Sequence, residues 1–239
     1  INMGGTAIGT KLTAQKGFVE NCAKHLGEIL KKKIVPAEDL IAATSDLSGF
    51  VVYSGALNTL SVRLSKIASD LILLASGPRT GLFEINLPPL QPGSSIMPGK
   101  VNPVIPELVN LVTFRVMGND VAVTIAAKTG QLQLNAYEPL AISAILESQK
   151  LLTNTMKVFK TKCVDGITAN EDIMKKYIDQ SVGIVTALNP VLGYEKTTEL
   201  AKEALETGKG ILELIREKKL LTEDQIKELL DPKKMTGQE

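Results

Sequence analysis

A heptad pattern in residues 50–74 constrains the fold more than any other feature of this sequence. Its apolar residues follow one another at alternating spacings of three and four: Phe50, Tyr53, Leu57, Leu60, Leu64, Ile67, Leu71 and Leu74. This a/d seam predicts a long helix packed lengthwise against other helices. Val62 and Leu73 lie off the seam, so a second face is partly apolar too, and such a helix can bury two sides, as in the interior of a multi-helix bundle.

Further helices are predicted around this one. Segment 11–33 is amphipathic, and segment 140–162 has apolar residues at heptad spacing. Between them a long helix should run to residue 127 from residue 103, with Asn102 as N-cap and Pro103 at the first helical position, or from Pro106. That helix carries so few charges that its burial inside an oligomer is expected. No alternating strand pattern occurs, so the predicted fold class is all-α.

The pattern changes after about residue 165, where short elements are separated by stretches such as "DGITAN" and "ETGKG". Thr222 and Gln225 have capping-box spacing and predict the start of a last helix. We predict two domains: residues 1–168 form part of a helical-bundle domain that includes loop 91–103, and residues 169–239 form a small helical domain.

Composition excludes several classes of partner. The 27 basic and 26 acidic residues are balanced, with no clustered basic stripe and no Trp, which argues against nucleic-acid binding. No uninterrupted apolar run reaches the roughly 18–20 residues of a membrane helix, and "INMGGTAIGT" is not a signal peptide. We expect no membrane or nucleic-acid partner.

The sulfur and imidazole groups offer little chemistry. Cys22 and Cys163 are the only cysteines and lie in apolar helical patterns, so we expect two buried free thiols in a reducing, cytoplasmic setting. His25 is the sole histidine and is expected to be a packed or surface residue. We therefore expect no metal site and no cofactor.

The stretch "QPGSSIMPGKVNP", residues 91–103, is the candidate functional loop. It is not a phosphate-binding P-loop, because five residues separate Gly93 from Gly99 and Val101 follows Lys100. It belongs to a connection between predicted helices, 77–102, that is far longer than a typical loop, and such loops are often functional.

The residues of this loop fit proton abstraction beside a carboxylate. Gly93 frees the backbone next to Ser94 and Ser95, while Lys100 and Asn102 supply a cation and an amide two residues apart. A serine acts as a base only where N–H groups and positive charge stabilise its oxyanion. The same donors would stabilise charge that develops on a substrate carboxylate.

"GSSIMPGKVNP" resembles the signature loop of the aspartase/fumarase superfamily. The segments "GGTAIGT", "ASGPRTGLFEI", "VMGNDVAVTIAA", "LNAYEP", "GITANED", "IVTALNPVLGY" and "LLTEDQIKELL" resemble family segments in family order, so the resemblance spans almost the whole chain. It implies a homotetramer with a central bundle of long helices and a small-molecule substrate.

The resemblance also implies roles for single residues. Ser94 matches the general base, and Lys100 and Asn102 match residues that bind the carboxylate bearing the developing aci-carboxylate charge. Glu107 matches a glutamate that in fumarases pairs with an active-site histidine of another subunit. Ser95 is expected to border the substrate and to contribute, with Met97, to the geometry of the loop.

Within the superfamily, Glu138 before Pro139 and the ending "LDPKKMTG" look more like aspartases than fumarases. The resemblance therefore implies deamination of L-aspartate to fumarate, with hydration of fumarate as one alternative and a non-catalytic helical assembly as another. Family members are roughly twice as long, and the segments that bind the other carboxylate and the leaving group are not found here. The chain looks like the C-terminal half of such an enzyme and is expected to be inactive alone.

Overall fold

The structure, a computed structural model, describes residues 1–91, 97 and 99–237. The chain forms two compact units, which are described separately below. One consists of Ile1–Ser76 with Leu87–Ile167, and the other of Gly77–Asn86 with Thr168–Glu239.

Three long helices dominate the first unit, and α4 packs along both α3 and α5. The helices of this unit are α1 (Phe18–Leu30), α2 (Ala42–Ser45), α3 (Ser48–Leu74), α4 (Val104–Lys128) and α5 (Glu138–Lys162). The predicted long helices are thus confirmed, and so is the all-α class. The N-terminal helix is shorter than the amphipathic segment that predicted it.

The line of α3 that is most deeply buried consists of small residues. Ser54, Ser61 and Ala68 lie one heptad apart and are all buried. Small side chains at these positions let the backbones of neighbouring helices approach closely. The predicted apolar seam flanks this line, and two of its members, Tyr53 and Ile67, are 44% and 48% exposed. The seam predicted the helix correctly, but this chain alone does not bury all of it.

Helix α4 is apolar on nearly all sides. Its buried residues Val109, Val116 and Val123 lie one heptad apart and face the unit's interior. Its opposite face exposes large apolar side chains: Leu108, Leu111, Phe114, Val121 and Ile125. By its length and mean hydropathy α4 could also cross a membrane. The buried core helices of soluble proteins share these properties. Its packing between α3 and α5 leads us to treat it as a bundle helix.

Polar contacts fix how the long helices pair. The Asp120 carboxylate on α4 accepts hydrogen bonds from Ser54 Oγ at 2.6 Å and from Asn58 Nδ2 at 2.7 Å, both on α3. Nearer the start of α4, Ser65 Oγ on α3 donates to Asn110 Oδ1 on α4 at 2.9 Å. Partners that are removed from water in this way favour one register of the helices over its alternatives.

The second unit consists of short helices and one small two-stranded sheet. Its elements are β1 (Ile85–Asn86), β2 (Thr168–Ala169), α6 (Glu171–Gln180), α7 (Val185–Leu192), α8 (Tyr194–Thr207), α9 (Ile211–Glu217), α10 (Glu223–Leu229) and α11 (Pro232–Met235). A core around Leu188, Leu200 and Ile215 holds the helices together. The predicted capping box is present: Thr222 Oγ1 accepts from the Gln225 N–H, and the Gln225 side chain accepts from the Thr222 N–H.

The sheet ties residues 77–86 to the C-terminal unit. Ile85 pairs with Ala169, and Asn86 with Thr168, in antiparallel register. Asn170 extends the contact, since its N–H donates to the Glu84 carbonyl oxygen at 2.8 Å. The domain prediction assigned residues 77–86 to the first domain and did not anticipate this pairing, because two-residue strands leave no periodic pattern in a sequence.

Candidate active site

The described part of the candidate loop leads directly into helix α4. Lys100 is exposed, and its N–H donates to the Met97 carbonyl oxygen at 3.2 Å. Asn102 follows and is half-buried. The predicted residues Gly93, Ser94 and Ser95 lie outside the residues that the structure describes, so their predicted roles stay predictions.

The helix does not begin as predicted. Its N-cap is Pro103 rather than Asn102, and α4 starts at Val104 with no side-chain hydrogen bond at the cap. The reason is the backbone of Pro103, whose ψ of 55° is not helical. Within the described residues, the Asn102 amide is therefore not used by the helix as a cap. It lies just before the helix start, where the first N–H groups of a helix favour an anion.

Glu107 lies in the first turn of α4 and is exposed. Its N–H donates to the Pro103 carbonyl oxygen at 3.1 Å, which closes the first helical turn. A carboxylate at this place interacts favourably with the positive end of the helix dipole. Chain geometry thus brings Lys100, Asn102 and Glu107 to one end of α4, with a cation, an amide and an anion within eight consecutive residues.

The end of α5 supports both flanks of this loop. We call residues 87–91 the upstream stem and residues 99–103 the downstream stem. Cys163 is buried beneath them, in a cluster with Phe159 of α5 and with Leu87 and Ile105 from either side of the loop. A crevice of about 10 Å³ is lined by Leu87, Pro88, Leu90, Asn102, Pro103, Val104, Ile105, Pro106, Lys162 and Cys163. That is about the least space one water molecule needs, so the stems and the end of α5 are tightly packed.

This support leaves no signal in the sequence. Cys163 was predicted only as a buried free thiol, and burial does raise its pKa above the ordinary value. No periodic signal connects residue 163 with residue 87 or 102, because the contact depends on the antiparallel return of α5 along α4.

The other candidate groups lie elsewhere in the first unit. His25 is exposed on α1, with its Nδ1 3.1 Å from Glu28 Oε2, as expected for a surface histidine. Cys22 is free but only half-buried, so the prediction of two buried thiols holds for Cys163 alone. Among the described residues, no three His, Cys, Asp or Glu side chains cluster as metal ligands would.

In the part of the chain that the structure describes, two hollows larger than this crevice lie away from the loop stems. One of about 450 Å³ lies along α1 and is mostly apolar. Another of about 540 Å³ lies in the second unit, beside Lys209 and Arg216. Glu217 and Glu223 already pair with these two cations, at 2.6 and 2.7 Å. Neither hollow brings together groups for catalysis.

Comparison with known proteins gives the same family over nearly the whole chain. Residues 1–118 match the lyase family profile, and residues 184–237 match the profile described as the fumarase C C-terminus. Aspartate ammonia-lyase of Pseudomonas aeruginosa is 54% identical over 235 residues, which cover 98% of this chain and 50% of that protein.

Solved structures agree in fold. A crystal structure described as fumarate lyase:delta crystallin from Brucella melitensis, bound to cobalt, superposes with a TM-score of 0.90 at 48% identity, covering 98% of this chain and 51% of that one. Recombinant class II fumarase from Schistosoma mansoni gives 0.87 at 35% identity, with 96% and 51% covered. The chain thus spans about half the length of the relatives it matches. On the joint evidence of the profiles, the relatives and the helical fold, the chain belongs to the aspartase/fumarase superfamily.

Proposed function

We propose that this chain is part of an aspartate ammonia-lyase, which converts L-aspartate to fumarate and ammonia. The observation that carries the proposal is the identity of 54% with an aspartate ammonia-lyase over 98% of this chain. The loop sequence "GSSIMPGKVNP" supports it, because it supplies the base and the anion-binding groups that the reaction needs.

The reaction begins with removal of a proton from Cβ of the substrate. Ser94, as the alkoxide, takes that proton, and the electron pair of the C–H bond moves into the adjacent carboxylate to form an aci-carboxylate. The pair then returns to form the Cα–Cβ double bond, and the C–N bond at Cα breaks with release of ammonia. The products are fumarate and ammonia, and the Ser94 hydroxyl releases the abstracted proton to solvent, which restores the alkoxide for the next turnover.

Lys100 and Asn102 bind the carboxylate whose charge increases in the first step. The second negative charge on that carboxylate exists only after proton abstraction, so a cation and an amide donor stabilise the transition state more than bound substrate. Both residues stand beside the start of α4, where the positive end of the helix dipole also favours negative charge. Gly93 and Ser95 shape the loop around Ser94, and Glu107 orients a group contributed by another subunit. The mechanism needs no cofactor, and the partner is a small dicarboxylate.

The active protein is proposed to be a homotetramer. The exposed apolar face of α4 and the exposed seam residues Tyr53 and Ile67 of α3 support this, since large exposed apolar patches are typical of interfaces between subunits. Binding of the substrate's other carboxylate and of its amino group is assigned to residues outside this chain.

The test measures fumarate by its ultraviolet absorbance, in a protein of the relatives' full length that contains this chain. Ser94→Ala should lower kcat by about 10²- to 10⁴-fold, the usual contribution of a general base, and leave the oligomer intact. Ser45→Ala, on α2 and outside the candidate loop, is the control and should keep wild-type activity. Wild-type turnover by Ser94→Ala would remove Ser94 from the role of base.

A second candidate is fumarate hydratase, supported by the match of residues 184–237 to the fumarase C C-terminus and by the 35% identity with a class II fumarase. The same assay separates the two, because L-aspartate or L-malate is offered as the only substrate. If the protein forms fumarate from L-malate but not from L-aspartate, the hydratase replaces the ammonia-lyase as the proposed function. Fumarate from neither would leave a non-catalytic assembly as the function.

A further inference from the structure

Gly166 is an exposed glycine with no conformational need to be one. It ends the short 3-10 turn Val164–Gly166 after α5, and its φ lies outside the left-handed region that favours glycine. Its N–H donates to the Cys163 carbonyl oxygen at 3.1 Å, an ordinary turn that other residues also form. The requirement for glycine must therefore come from a neighbour.

That neighbour is Pro88 of the upstream stem. A Cβ at position 166 would lie 2.6 Å from Pro88 Cγ, a separation that real Cβ atoms essentially never show, and 3.6 and 3.8 Å from Pro88 Cβ and Cδ. Only the tip of the proline ring is therefore in conflict. Because Pro88 Cγ is held in a ring that includes the backbone nitrogen, it has much less freedom than the end of a flexible side chain, and we expect a larger residue at 166 to displace the stem.

The proline-rich residues 88–92 lead from this contact into the loop, and a displacement at residue 88 would be carried along them. Pro88, Pro89 and Pro92 fix φ at three of the five positions 88–92, so the chain has few soft torsions before Gly93. The downstream stem shares the packed crevice with Pro88, but it is also anchored by its continuation into α4. A shift at residue 88 is therefore expected to act mainly on the upstream stem, and less on Lys100 and Asn102.

We propose that Gly166 is a positioning residue, which sets where the upstream stem enters the loop and so where Ser94 stands relative to the substrate. This inference rests on the proposed function of Ser94 as base. Gly166, just after the end of α5, would then affect catalysis through the upstream stem and not through contact with the substrate.

The first test is kinetic and uses the full-length protein. Gly166→Ala should lower kcat by about tenfold or more, because misplacement of a catalytic group by about 1 Å can cost two orders of magnitude. KM for the substrate should stay within about threefold, since the start of α4 anchors Lys100 and Asn102. This split between kcat and KM separates positioning of the base from weakened binding.

A second substitution provides the rescue. Pro88→Ala removes Cγ and Cδ and leaves only Cβ, at the ordinary contact distance of 3.6 Å from a Cβ at 166. The double variant Gly166→Ala/Pro88→Ala should therefore recover most of the lost kcat. Pro88→Ala alone should have a small effect, because residue 88 still precedes Pro89 and keeps a restricted backbone. Gly49→Ala is the matched control: Gly49 is exposed on α3, a Cβ there would meet nothing within 4 Å, and wild-type kcat is expected.

A readout independent of activity uses the same full-length protein. Leu87 packs in the cluster around Cys163, so its methyl NMR signals report the position of the stem. They should shift in Gly166→Ala, return in the double variant, and stay unchanged in Gly49→Ala.

Two outcomes would overturn the inference: unchanged kcat in Gly166→Ala, or a loss that parallels a fall in melting temperature and is not restored by Pro88→Ala. If the wild-type protein forms no fumarate, the proposed function fails. The Leu87 methyl signals then still show whether Gly166 determines the position of the upstream stem. Unshifted signals in Gly166→Ala would reject that part of the inference as well.

Discussion

Asn119 joins helices α4 and α5 through a buried side chain. Buried on α4, its Nδ2 lies within hydrogen-bonding distance of three acceptors on α5: the Ala144 carbonyl oxygen at 3.3 Å, Glu147 Oε2 at 2.8 Å and Ser148 Oγ at 3.1 Å. Arg115 adds a two-point ion pair to Glu147, at 3.0 and 3.2 Å to Oε2. An amide and a guanidinium thus share one carboxylate between the helices.

This contact predicts a pH dependence. The hydrogen bond from Asn119, and then that from Arg115, lowers the pKa of Glu147 below its ordinary value. Since the folded pKa lies below the unfolded one, the stabilisation is complete above the unfolded pKa. It is lost as the pH falls through the folded pKa. Asn119→Ala should raise the pKa of Glu147, as measured by carboxyl NMR titration of this chain.

Asn21→Ala is the control for that titration, because Asn21 is exposed on α1, and it should leave the pKa of Glu147 unchanged. An unchanged pKa in Asn119→Ala as well would show that Arg115 alone lowers it. The sequence marked none of these residues, because a polar residue in a helix looks the same whether it faces solvent or a partner helix.

At the scale of elements, α10 owes its start to its cap. The reciprocal hydrogen bonds of Thr222 and Gln225 satisfy two N–H groups that the helix itself cannot. Thr222→Ala should destabilise the second unit by about 1 kcal/mol, the usual loss for an N-cap hydroxyl, as measured by urea unfolding of this chain. Thr222→Ser keeps the hydroxyl and should restore most of that stability. Equal losses in both variants would contradict the cap as the cause.

The long helices show what an element-level pattern can and cannot predict. The heptad seam and the sparse charges predicted α3 and α4 to within a few residues, because local periodicity alone determines where an amphipathic helix forms. The N-cap of α4 was wrong by one residue, since the choice between Asn102 and Pro103 depends on how the stem packs on α5.

At the scale of the whole molecule, the exposed apolar face of α4 predicts assembly. Phe114 is 58% exposed near the middle of the helix, and a charge there would be buried without a partner in a bundle of subunits. Phe114→Glu should therefore shift the full-length protein from the proposed tetramer to smaller species in analytical ultracentrifugation.

The matched control for assembly is Leu132→Glu. Leu132 is 89% exposed in the turn after α4, away from the helical face, so its substitution should leave the oligomer unchanged. A tetramer that survives Phe114→Glu would show that this face of α4 is not an interface. The sequence had already predicted burial of α4 inside an oligomer, from its scarcity of charge.

The sequence by itself determined the helical class, the three long helices, the capping box of α10 and the loop that carries Ser94, Lys100 and Asn102. These follow from local periodicity, from capping chemistry and from a motif of consecutive residues. Each of these signals involves residues that are close together in the sequence. Only the tertiary structure decided that small residues form the buried line of α3, that residues 77–86 pair with the C-terminal unit, and that Gly166 meets Pro88. Each of these is a contact between distant segments, where close approach and hydrogen-bond geometry matter and residue type alone carries no signal.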